Sequence, residues 1–140
     1  MNSQNKIDAF VKLELQNIGL KLMSKPNGRE GVNFLIGDKQ LHLQSIDLDT
    51  IQRSIKISKQ DLGELKDNLF IALVLIMEKL PKVVYLIPSK DLTQSNSNIF
   101  IDNEVSLMPS LSNWEIKVSS NTIPELAKYA LENMVDKLKI

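Results

Sequence analysis

The sequence predicts an α/β fold, an α+β sandwich in which helices flank a central mixed β-sheet and a last helix closes the chain. Three observations predict it. Residues Gly31 to Asp47, GVNFLIGDKQLHLQSID, read as a β-hairpin: an apolar run stops at the turn signal Gly37-Asp38, and Leu41 and Leu43 then alternate with His42 and Gln44. Leu69 to Met77, LFIALVLIM, has no polar alternation and suits a strand covered on both faces. Both ends of the chain space their apolar residues at helical intervals.

In chain order, Ile7, Phe10, Val11, Leu15, Ile18 and Leu22 define an amphipathic helix that runs past Gly19 and stops near Pro26-Asn27-Gly28. The hairpin strands follow at Val32 to Ile36 and Gln40 to Ile46, and Thr50 to Ile57 alternates as a third strand. Ser58 stands three residues before Asp61 in a capping arrangement, so Lys59 to Lys66 is a short second helix through Leu62 and Leu65, with Gly63 inside it. Leu69 to Met77 is the central strand, a buried helix being the competing reading of so short an apolar run. Leu80-Pro81 breaks the chain before a neighbouring strand from Lys82 to Ile87. Asp91 to Ser112 is rich in Ser and Asn and reads as a mobile loop with a strand-like Asn98 to Ile101 in its midst. Trp114 to Val118 alternates as a half-buried strand. Thr122 and Glu125 then form a T-x-x-E capping box with Pro124 in the first turn, opening one helix whose apolar face is Ala127, Ala130, Leu131, Met134, Val135 and Leu138.

The 140 residues suit a single domain, with a core at 6–87 and a strand, loop and helix extension at 88–140. Hydrophobic residues are 43% and charged residues 24%, the proportions of an ordinary globular chain. Seventeen basic and seventeen acidic residues cancel, so nothing global attracts a phosphate backbone. Absence of cysteine excludes disulfides, thiolate metal sites and a cysteine nucleophile, and one histidine excludes multi-histidine zinc sites. The N-terminus lacks the apolar centre of a signal peptide, and the longest apolar run falls short of the ~20 residues that span a bilayer. A cytoplasmic protein without membrane association is expected. Glycines never form a phosphate-cradling pattern.

Helix, strand, strand, strand, helix, strand, together with VNFLIGDKQLHLQSI, resembles the core of the PD-(D/E)XK nuclease superfamily. Many members carry an aspartate and two apolar residues, a turn, then apolar-Q-apolar-K. Asn33 aligns with the aspartate, Gln44 with the first motif position and Ile46 with the lysine, and the resemblance covers roughly residues 6 to 87. It implies an αβββαβ restriction-endonuclease-like core, Mg²⁺ held by the acidic positions, and a lysine beside the scissile phosphate. This chain departs from the pattern where the chemistry is done. Mg²⁺ demands hard anionic oxygens, whereas Asn33 and Gln44 offer neutral carbonyls and Ile46 neither donates nor carries charge. The resemblance therefore implies a catalytically degenerate member, with no catalytic residue and no cofactor, serving as a binding or interaction module.

Glu14 falls inside the apolar stripe of the first helix, where family members often direct a glutamate at the metal; the alternative is a carboxylate that reaches solvent or pairs with a lysine. His42 either lines the relic site or is a half-exposed strand histidine, with Ser45 on the opposite face. Asp47 and Asp49 read as a solvated turn. Arg53, Lys56 and Lys59 form a small basic group able to touch nucleic acid, although neighbouring aspartates favour an ordinary surface. Trp114 and Tyr85 read as packing residues. Protein partners or self-association are expected ahead of strong nucleic-acid binding. Two other functions stay open: an active metal-dependent nuclease or hydrolase with a migrated site of Glu14, Asp47 and His42, for which Mg²⁺ would be needed, and an unrelated α/β interaction domain.

Overall fold

A computed structural model of the protein describes residues 3–20, 23–24, 34–94 and 98–138. Asn33 and the expected strand start at Val32 lie outside them. Helix α1, Ser3–Asn17, buries Ile7, Val11 and Leu15 along one stripe. It ends well short of Leu22. Gly19 takes φ +85°, its N–H donates to Gln16 O at 3.0 Å, and Leu20 N–H reaches Leu15 O at 2.9 Å, the paired bonds that close a helix around a left-handed glycine.

Strands β1 (Met23–Ser24), β2 (Phe34–Ile36), β3 (Lys39–Asp47), β5 (Leu69–Met77) and β6 (Leu80–Pro88) form a mixed sheet in the order β1-β2-β3-β5-β6. Among the described strands only β3 and β5 run parallel, pairing from Gln40 with Leu69 to Asp47 with Ile76. Every residue from Leu69 to Leu75 is buried, as the uninterrupted apolar run requires. The central mixed sheet is thus present, with α+β character.

The third strand goes elsewhere. Strand β4 (Ser54–Ser58) pairs antiparallel with β8 (Asn113–Lys117), and β8 with β7 (Phe100–Asn103), in a second sheet ordered β4-β8-β7. The physical cause lies at 47–53. Asp47 Oδ1 accepts Asp49 N–H and Asp47 O accepts the Thr50 hydroxyl, a tight turn that lifts the chain off the first sheet, and Arg53 O then accepts Val118 N–H. Ile55 and Ile57 are buried, as are Trp114 and Ile116 opposite them. One hydrophobic cluster includes residues of both sheets.

Other expectations shift by shorter distances. Helix α2 spans Lys59–Leu62 with Ser58 Oγ accepting Asp61 N–H, as the capping pattern predicts, but Gly63 at φ +79° ends it four residues early. Leu80-Pro81 is no break: the turn is Glu78-Lys79, and Pro81 sits inside β6 beside a register shift at Leu75/Ile76, where its missing N–H is tolerated. The described residues between Asp91 and Ser112 include β7 and a 3-10 turn at Pro109–Leu111, and a 3-10 turn at Ser89–Thr93 leads into them.

The C-terminal helix is two helices, α3 (Ile123–Leu126) and α4 (Leu131–Leu138), separated by a 3-10 turn at Ala127–Tyr129. Ala130 becomes extended, at ψ 150°, to bridge Tyr85 on β6, which lets Tyr129 and Leu131 both be buried. The capping box does not form either. Thr122 Oγ1 accepts Ser119 N–H and donates to Lys117 O, while Glu125 accepts from Asn98. No helix among the described residues is long and apolar enough to cross a membrane.

Candidate functional site

Alternation along β3 separates two faces. His42, Gln44 and Ile46 share one; Leu41, Leu43, Ser45 and Asp47 share the other. On the first, Gln44 Nε2 donates to His42 Nε2 at 2.6 Å. His42 is 7% exposed, so it is a buried histidine and not the half-exposed one expected from its strand position. Its neighbour across the parallel ladder is Ile71. Ile46 is 1% exposed beside Leu75. The position expected to match a nuclease lysine is therefore a fully packed core position.

Glu14 does not join this face. It lines a different cavity, of about 470 Å³, with Lys82 and Tyr85 of β6 and Pro124, Ala130 and Glu132 from the C-terminal segment. Burial raises the pKa of the Tyr85 phenol there. Asp47 and Ser45 face α1 across a third region, a cavity of about 380 Å³ that Lys6, Gln52 and Lys79 also line. Glu14, Asp47 and His42 thus do not converge, and a migrated site built from them has no common centre. No group of three or more His, Asp or Glu among the described residues is arranged to hold a metal ion.

The basic trio is dispersed as well. Arg53 donates to Thr50 O and Gln52 O, both at 2.7 Å, and Lys56 is exposed on β4. Lys59 is a structural centre: its ammonium reaches Asp102 at 2.5 Å and Glu104 at 2.8 Å and lies 4.2 Å from the centroid of the Trp114 ring. Burial pushes its pKa down, yet hydrogen bonds to the two carboxylates outweigh that and leave it raised. Lys59 in turn holds Glu104 below the ordinary carboxylate range, with Ser112 assisting. A lysine so neutralised has little attraction left for phosphate.

No protein-family model matches the chain, and no curated protein is significantly similar to it.

Sequence reasoning misses the role of two features. The first is the surface around Lys59. Leu107 is 94% exposed, and Met108 and Leu111 are 55% and 56% exposed, a cluster of apolar side chains on one short protrusion. Its backbone is fixed. Buried Ser112 accepts Val105 N–H on its hydroxyl at 2.8 Å and Lys59 N–H on its carbonyl at 3.0 Å, while Met108 O and Pro109 O accept the N–H groups of Leu111 and Ser112. A signal was present in the apolar LMPSL amid Ser and Asn, but only the fold shows that the group projects.

The second is Asp49. Its carboxylate accepts Glu78 N–H and Lys79 N–H, each at 2.8 Å, and holds a turn in which both residues have positive φ, 55° and 66°. These bonds keep the Asp49 pKa below its ordinary 3.8. A depressed folded-state pKa means that the clamp contributes fully above the unfolded value and is lost as pH falls through the folded one. The Glu78 and Lys79 amide resonances are expected to titrate with a midpoint below 3.8, and Asp49→Asn is expected to abolish that step. A midpoint above it would disprove the clamp.

Proposed function

We propose that the protein is a non-catalytic interaction module, descended from a PD-(D/E)XK nuclease core, that engages a protein partner through the protrusion bearing Leu107, Met108 and Leu111. The observation that carries this reading is the combination of exposure and rigidity in that protrusion. Large apolar side chains held out in water on a preordered backbone add little to folding, whereas they reduce the entropic cost of docking. Asp102 and Glu104 stand beside the group and share the one ammonium of Lys59, so the complementary surface is an apolar pocket with a basic rim.

Descent is supported by β5 lying beside the second hairpin strand and by α1 sharing a cavity with that sheet. Placement of β4 in the second sheet departs from the core. Loss of catalysis is supported by buried Ile46 and by Gln44 bound to His42. Fold-level analogy adds little beyond that.

A photo-crosslinking amino acid at Leu107 tests the reading, with the same probe at exposed Gln16 on α1 as reference. One discrete adduct from position 107, of twice the chain mass or of one heterologous mass, is expected to vanish when Leu111→Glu is added. Identical products from both positions, or none, would sink the proposal. In parallel, no Mg²⁺- or Mn²⁺-dependent cleavage of DNA or RNA is expected, and turnover lost on Gln44→Ala would reverse that expectation.

A further inference from the structure

We infer that the cavity at the carboxyl ends of β3 and β5 binds a small carboxylic acid that bears an amino or hydroxyl group beside its carboxylate. This site is separate from the apolar protrusion and independent of it. In open sheets with parallel strands, ligands settle outside the strand carboxyl ends, where the chain diverges and leaves a crevice. Here β3 and β5 are the one parallel pair among the described strands. Asp47 pairs with Ile76 at their carboxyl ends, Thr50 to Ser54 leads away to the second sheet, and the first turns of α1 close the top.

The lining divides by chemistry. Ile7, Ile76 and Pro81 supply an apolar wall, and half-buried Ser45 and Asp47 supply a hydroxyl and a carboxylate. Lys6 and Lys79 stand exposed at the rim, and neither forms an ion pair with a described residue. Asp47 commits Oδ1 to the Asp49 N–H, which leaves Oδ2 to accept from a ligand. Two lysines and one carboxylate lining the same cavity suit a ligand whose own carboxylate meets the lysines while its ammonium or hydroxyl meets Asp47. A volume of about 380 Å³ lies at the small end of ligand cavities and excludes polymers as the main occupant.

The position of Lys79 strengthens the inference. A left-handed turn of two residues is ordinarily made by Asn-Gly or Asp-Gly, because a Cβ is disfavoured at positive φ. This chain places Glu78 and Lys79 there, and the Asp49 carboxylate clamps both amides from behind. The result fixes the backbone of a lysine at the cavity mouth. Asp49 itself adds a negative charge close to Lys79, so the whole region is near neutral, which suits an amino acid or hydroxy acid better than a polyanion.

The test uses the isotope-labelled full chain in NMR titrations against L-leucine, 2-hydroxy-4-methylpentanoate, 4-methylpentanoate and isopentylamine. Saturable shifts at Ser45, Asp47, Ile76 and Lys79 are expected with leucine or the hydroxy acid, and the tighter of the two identifies the donor. The acid without a donor and the amine without a carboxylate are expected to bind at least about tenfold more weakly, the loss for one charge-assisted hydrogen bond. Lys6→Gln and Lys79→Gln should each weaken binding by about tenfold, while Lys90→Gln, outside the cavity, should not. Both lysines are exposed, and dispersed spectra would verify that the variants fold. No saturable shift with either bifunctional acid, equal affinity for all four compounds, or undiminished binding by the double lysine variant would overturn the inference.

Discussion

Ile46→Lys is expected to destabilise the protein by roughly 4 kcal/mol and to confer no metal-dependent cleavage. Ile46 is 1% exposed and paired with Leu75, so a lysine there either buries an ammonium without a counter-charge or forces β3 from its partner. Introducing an unpaired charge into a core belongs to the few mechanisms whose cost reaches about 3 to 5 kcal/mol. Ile46→Val, which removes one methylene from the same place, should cost only about 1 kcal/mol. Urea unfolding of the two variants measures the difference directly. Since whole domains are stable by only about 5 to 15 kcal/mol, the lysine variant should show a large drop in midpoint. Equal midpoints would mean that position 46 has access to water and would reopen it as a place for a catalytic lysine. The result bears on ancestry too: if the chain came from a nuclease, the step from lysine to isoleucine converted a reactive position into a packing one. Introducing Asn33→Asp and Gln44→Glu without repacking around residue 46 should not create nuclease chemistry.

Ser89→Ala should cost about 2 kcal/mol although it deletes a single oxygen. Ser89 is wholly buried at the end of β6, where its hydroxyl accepts Lys66 N–H at 3.1 Å and donates to Lys66 O at 2.9 Å. The two bonds staple the segment that enters β5 to the segment that leaves β6. Alanine leaves the Lys66 N–H without that partner, while Lys66 O keeps the Leu69 N–H at 3.2 Å, and an unsatisfied buried group costs about 1 to 3 kcal/mol before relaxation. Thermal unfolding should register the loss, and hydrogen exchange should place it at residues 66 to 69. Ser89→Thr, which retains the hydroxyl, separates hydrogen bonding from packing. A neutral Ser89→Ala would show that water replaces the oxygen.

The sequence made the sheet legible and the site illegible for the same reason. Leu69–Met77 was readable to the residue because a strand covered on both faces needs nothing beyond apolar side chains, and β3 because alternation survives in its central residues. Strand β4 is legible as a strand but its sheet is not: Ile55 and Ile57 say that one face is buried, and not against what. The C-terminal helix failed at Ala130, an excellent helix former whose backbone pairs with Tyr85 instead, a tertiary demand that overrides local propensity. Strand alternation puts Gln44 and Ile46 on one face, whereas the helical angle of Glu14 points toward them in sequence and the fold sets it at a different cavity. The angle gives the direction from the helix axis, and not which strand lies beneath. Asp47 and Lys79 are 32 positions apart and meet only through the β3–β5 register and the Glu78-Lys79 turn.

The β3–β5 pairing also governs how the chain can assemble. Strands β5 and β6 are joined by a two-residue turn and close as a local hairpin, whereas Gln40 and Leu69 must meet across β4 and α2, with a larger loop-closure entropy. The hairpin is therefore free to form while β3 is still absent, and during that interval the LFIALVLIM strand has one edge unpaired. Such an edge templates pairing with other chains. The same parallel register that opens a crevice at one end of the sheet makes the most apolar segment wait for its neighbour, and the Ala130 bridge guards only the opposite side, along β6.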